Sequence, residues 1–256
     1  MVSEVKGASI RFKSYEESVP RLLDILKLQK ELKKYDKIVL KPHLAIRIED
    51  SASREFVENV LKFVLQHKNP VAEVFIAEGA DGIPTEDLFE MLGYDKLAEK
   101  YDVSLIDLNK TETQAIENYD FLKFQEIQYP KLLLESFVIT LPKLGLNEES
   151  VLTGALSTML GAFPAEYYKG FFSKTKNKLR KWPIKYAIHD IIKCKVPDFS
   201  IIDGAEHNSI LAGLPLELDK QGAKILGKDW KEIPYIKLIE ESLNKKREKE
   251  NEDFLE

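Results

Sequence analysis

The stretch KIVLKPHLAIR, Lys37–Arg47, decides how this chain is read. Ile38, Val39 and Leu40 form a short unbroken apolar run, the mark of a strand buried on both faces. Pro42 stops it, because proline has no N–H to give to a sheet ladder. Lys41 and His43 flank that proline. A strand apolar along its length and polar at its end suits a parallel sheet, where ligands collect outside the carboxyl ends.

Working outward, the same grammar repeats. Ser51–Lys68 predicts a helix, with Phe56, Val57, Val60, Leu61, Val64 and Leu65 on one stripe and Ser51 or Ser53 as its cap. AEVFIAEG (Ala72–Gly79), VSLIDLNK (Val103–Lys110), FVITLPKLG (Phe137–Gly145) and DFSIIDGAEH (Asp198–His207) read as strands. Between them lie helical patterns at Tyr15–Tyr35, Pro84–Tyr101, Ser150–Phe163 and Pro183–Lys193. Residues 111–130 suggest a short hairpin. Strands alternating with helices predict an α/β fold, a three-layer arrangement with a mainly parallel sheet and helices on both faces. The expected organisation is one α/β domain over 1–256. It carries a mobile basic-aromatic segment at 165–185 and a charged, partly disordered tail from about 244.

Composition narrows the function classes. A net charge of −5 over 256 residues gives no overall basic excess for nucleic acid. The single cysteine, Cys194, cannot make an internal disulfide, a thiolate zinc site or an iron–sulfur cluster. No apolar stretch approaches the roughly 18 residues of a membrane helix. The first twelve residues lack a signal-peptide pattern, so a cytoplasmic location without membrane contact is expected.

The ends of the strands deliver the candidate site. They contribute Lys41 and His43; Glu78, Gly79 and Asp81; Asp107 and Asn109; Lys143; and Asp203, Gly204, Glu206 and His207. Lys41 and Lys143 suit charge-assisted hydrogen bonds to a small anionic molecule, and His43 and His207 suit proton transfer. Asp203 and Glu206 are candidate oxygen ligands for a divalent metal. His67 and His189 carry less weight. The former ends a helix, and the latter falls at the edge of a polar helix face and is expected to be solvated. The segment Lys169–Lys185 has no acid between Glu166 and Asp190 and interleaves Phe171, Phe172, Trp182 and Tyr186. That pattern suits a lid over an anionic ligand. Stacking on nucleic acid is the alternative, which the acidic whole disfavours.

The motifs VLKPHL, AEGADG, LIDLN, LPKL, LTGALSTMLG, PDFSIIDGAE and ILAGLPLELDKQGAKILG follow one another in the order of the domain of unknown function 362 family. The chain resembles that family from about Lys37 to Ile239. The resemblance implies an α/β domain of unassigned activity. It adds Thr153 and Gly154 to the ligand-binding candidates, beside the retained Lys41, Glu78, Gly79, Asp107, Lys143, Asp203 and Gly204. Longer members carry ferredoxin-like cysteine clusters, which this chain lacks. His43 stands where the family has Asn, and Gly145 and Asn147 stand where it has Lys and His. TGALST also lacks a Lys and an Asn of the family pattern. A different ligand, or binding without catalysis, is the implied consequence.

Overall fold

The structure is a computed structural model that describes residues 7–253, with side chains through residue 248. Eleven strands occur in chain order: β1 (Gly7–Arg11), β2 (Lys37–Pro42), β3 (Glu73–Glu78), β4 (Ser104–Asp107), β5 (Thr113–Glu117), β6 (Glu126–Pro130), β7 (Phe137–Leu141), β8 (Gly145–Asn147), β9 (Val151–Thr153), β10 (Phe199–Gly204) and β11 (Ser209–Gly213). Seven of them form one sheet in the order β1-β11-β10-β7-β2-β3-β4. The run from β10 to β4 is parallel, and β11 lies antiparallel between β1 and β10. β5 and β6 make the expected hairpin, with Thr113 opposite Pro130.

Ten helices accompany the strands among the described residues: α1 (Tyr15–Ile25), α2 (Leu28–Leu32), α3 (Arg54–His67), α4 (Thr85–Met91), α5 (Tyr94–Tyr101), α6 (Lys131–Glu135), α7 (Ala165–Tyr168), α8 (Lys185–Cys194), α9 (Pro215–Ile225) and α10 (Pro234–Asp253). Successive strand residues point to opposite faces, so the apolar runs feed two cores. Ile38, Leu40, Ile76, Ile139 and Ile201 pack with α1 to α5. Val39, Ala77, Val138 and Ile202 pack with α8, α9 and α10 on the other side. This is the expected three-layer α/β fold. The strand order reverses between β2 and β7, which makes their carboxyl ends the topological switch point.

Three expectations change. The Tyr15–Tyr35 helix divides into α1 and α2 because Lys27 takes a left-handed backbone (φ 57°). The stretch Ser150–Phe163 is not an α-helix: Val151–Thr153 pairs with β8, and Ser157–Ala162 is a 3₁₀ turn. Asp219 takes the N–H groups of Ala155 and Leu156, which an α-helix would turn inward, and Gly154 and Gly161 pack where a Cβ would collide. The last helix does not fray near 244. It continues to Asp253 on residues of good helix propensity, and residues 254–256 of the expected tail lie outside the described residues. No helix of the described residues is long and apolar enough to cross a membrane.

Candidate functional site

Lys41 and Glu78 end adjacent strands, β2 and β3, and meet as an ion pair. Both are buried, Lys41 completely. The Lys41 ammonium also donates to the Thr158 carbonyl at 2.5 Å. A second lysine joins them. Lys176, 1% exposed, donates to the Gly79 carbonyl at 2.7 Å and lies 3.4 Å from that of Gly161. Burial lowers the pKa of Lys41, against the pull of Glu78, and presses Lys176 down to about 8. Burial raises that of Glu78. Two ammonium groups thus surround one carboxylate beneath the carboxyl edge.

The basic segment is the cover. Asp81 accepts from the Lys176 backbone N–H at 2.6 Å and from Arg180 Nη1 at 2.8 Å, and Arg180 also binds Glu149. Asp81, read as a ligand group, is therefore the anchor that holds the segment over β3. Phe171 and Phe172 project from it almost fully exposed. Lys176 and the Ser157–Ala162 turn lie against Lys41 and Glu78, which are closed to solvent.

The strand-end residues consequently do not line one cleft. The larger opening, about 600 Å³, lies at the ends of β3 and β4. Asp81, Thr85, Asp107, Asn109 and Lys110 form one wall; Lys169 and Lys174 of the basic segment form the other. Its acids are already engaged. Asp81 holds Arg180, Glu86 pairs with Lys110, and Asp107 accepts from the Thr85 hydroxyl at 2.7 Å with Lys110 at 3.6 Å. Lys169 and Lys174 make no ion pair among the described residues.

The smaller opening, about 200 Å³, sits at the switch point and brings together His43, Asp50, Lys143, Asn147, Thr153 and Glu206. Its lysine is spoken for: Lys143 pairs with Glu206 at 2.8 Å and donates to the Glu49 carbonyl at 2.5 Å. Burial and the charge of Lys41 hold the half-buried His43 down at about 4, so its ring is neutral at neutral pH.

The other candidates stand apart from both openings. Asp203 is buried, accepts from Tyr15 Oη at 2.8 Å and from the Ala205 N–H at 3.0 Å, and is pushed up by burial. Its candidate metal partner Glu206 turns to Lys143 instead, and His207 is exposed. Among the described residues no three His, Cys, Asp or Glu side chains converge as a metal site. Gly79, Gly154 and Gly204 all sit where a Cβ would strike neighbouring atoms, Gly79 against the Gly161 carbonyl and Gly204 against that of Ser209. Sequence reasoning missed Lys176, whose partners are carbonyls without a sequence signature. It also missed Asp219, which holds the Gly154–Leu156 loop through the N–H groups of Ala155 and Leu156.

A family model described as a domain of unknown function (DUF362) matches residues 38–218, well over half of the chain. The chain belongs to this family. As a DUF362 protein it has no match among the curated proteins. Among solved structures, the lactate racemase apoprotein from Thermoanaerobacterium thermosaccharolyticum is similar, with a TM-score of 0.60 and 17% identity over 90% of this chain. A protein from Thermotoga maritima gives a TM-score of 0.49 and 13% identity over 88%. The DUF362 chain spans only 58% and 59% of those two chains. The racemase likeness is one of fold.

Proposed function

We propose that this protein binds a small anionic molecule at the carboxyl edge of its sheet, in the larger cleft under the basic segment. The observation that carries the reading is the pair Lys169 and Lys174, without carboxylate partners among the described residues, facing a cleft whose own acids are each paired with Lys110 or Arg180. The buried cationic excess of Lys41 and Lys176 behind one wall adds to the attraction. A volume of about 600 Å³ suits a metabolite. The switch-point cavity supports an anion less well, because Asp50 and Glu206 outnumber Lys143 there.

Binding is the proposed function; Lys41 and Glu78, sealed from the cleft, would set its potential rather than touch the ligand. The test is a thermal-shift screen with citrate, succinate and lactate, the last because lactate racemase shares the fold. A ligand at 100 times its dissociation constant should stabilise the fold by about 2.7 kcal/mol. Added salt should weaken the effect. No shift with any of the three anions at millimolar concentration would count against the reading.

A further inference from the structure

α8 buries His189 and Asp190 side by side, at 1% and 0% exposure, where a solvated histidine was expected. The reason is the hairpin. Asp190 accepts the backbone N–H groups of Leu122 at 2.9 Å, Lys123 at 2.8 Å and Phe124 at 3.2 Å, which draws the loop between β5 and β6 over this part of the helix. The same carboxylate lies 2.7 Å from His189 Nδ1. A carboxylate that holds three donors acts as an acceptor toward the ring and fixes a proton on Nδ1. In the neutral ring Nε2 is then the acceptor. It is buried and has no hydrogen-bond partner among the described residues. Buried polar atoms are nearly always partnered, so an orphan asks for an occupant.

His189 lines a cavity of about 340 Å³ that shares no residue with the two openings at the carboxyl edge. Leu238, Glu241, Ser242 and Lys245 of α10 form one wall, spaced as a single helix stripe. Its acids have partners: Asp120 lies 3.6 Å from Lys193, and Glu241 lies 4.0 Å from Lys237. Lys245 makes no ion pair among the described residues. The cavity therefore combines a lining residue whose buried ring nitrogen has no partner among the described residues with the exposed ammonium groups of Lys245 and Lys246.

We propose that this cavity is a second ligand site, for a small anion that carries its own O–H donor, hydrogen phosphate being the simplest. The O–H donates to His189 Nε2, and the anionic oxygens pair with Lys245. Sulfate is the discriminating control, because it matches the hydrogen phosphate dianion in shape and charge and has no O–H to give.

The experiment titrates phosphate and sulfate into the full chain at slightly alkaline pH, by calorimetry and by ¹⁵N NMR of labelled histidine. Phosphate should bind at least about tenfold tighter than sulfate, the worth of one good hydrogen bond. The His189 Nε2 resonance should move with phosphate along the calorimetric isotherm. His189→Asn keeps an amide donor for Asp190 and removes Nε2, so it should erase the discrimination. Lys245 is exposed, so Lys245→Met folds as wild type and should weaken phosphate about tenfold. It carries the test if the core variant fails to fold. Lys169→Met/Lys174→Met should leave this phosphate site unchanged, which separates it from the anion cleft above. Equal binding of phosphate and sulfate, or an Nε2 resonance indifferent to phosphate, would overturn the proposal.

Discussion

Two regions of this protein bury charge, and they do it differently. At the carboxyl edge, Lys41 and Lys176 surround Glu78 and give their remaining donors to carbonyls of Thr158 and Gly79. On the face covered by α8, α9 and α10, Asp219 and Asp190 are buried with no lysine or arginine paired to them among the described residues. Asp219 accepts from Ala155 N at 2.5 Å, Leu156 N at 3.1 Å and Tyr235 Oη at 2.8 Å. A carboxylate satisfied by amides pins a loop. A pair with an extra cation, placed behind an open cleft, projects a field into it. The first arrangement explains why the Gly154–Leu156 and Leu122–Phe124 loops lie where they do. The second is the field on which the proposed anion site at β3 and β4 rests.

Lys41→Met should perturb this contrast most. The sequence reads Lys41 as a partner for an anionic ligand, but the residue is completely buried and paired inside the protein. The variant leaves Glu78 buried without its partner, so it should cost about 3–5 kcal/mol in urea unfolding. Lys41→Met/Glu78→Met should recover most of it. A loss below about 1 kcal/mol in the single variant would mean that the pair is not held as ions, and would count against a buried cationic excess. Asp219→Asn should cost about 2 kcal/mol, because an amide cannot accept all three donors.

pH separates the two regions further, with opposite signs. Burial raises Asp219 from 3.8 to about 7, so its contribution to stability is complete below its ordinary range and is lost as pH rises through about 7. Burial lowers Lys176 from 10.5 to about 8, so its contribution is complete above 10.5 and is lost as pH falls through about 8. The stability of wild type relative to Lys176→Met should therefore improve on raising the pH from below 8 toward 10.5, by on the order of 3 kcal/mol. A flat difference in unfolding free energy across that window would remove the buried ammonium. The smallest effect should come from Lys143→Met. Its partner Glu206 is 68% exposed, so stability should change by less than about 1 kcal/mol in the same assay.

The sheet was legible because its central strands are apolar on both faces and stop at polar residues, as at Lys41 and Pro42. The helices α3 and α8 announced themselves by stripe or cap. What stayed hidden was set by partners far along the chain. TGALST reads as helix until Asp219, some sixty residues on, takes the amides of its loop. Lys176 reads as one more solvated lysine in a basic run, because nothing local says that carbonyls of Gly79 and Gly161 await it. His189 reads as a surface residue until the hairpin folds over Asp190. The division of the strand ends into two openings depends on strand order, which no single segment encodes.

The proposed function stands or falls on Lys169 and Lys174 holding a small anion at the carboxyl edge. The decisive measurement is a calorimetric titration of citrate into wild type, Lys169→Met/Lys174→Met and Lys143→Met. Both lysines of the double variant are exposed, and methionine keeps most of the apolar stem, so the fold should be unchanged. Wild type should bind saturably. Each ammonium removed in the double variant should weaken binding about 10- to 150-fold, and Lys143→Met should leave it unaltered. No saturable binding to wild type, or equal affinity in wild type and the double variant, would refute the assignment.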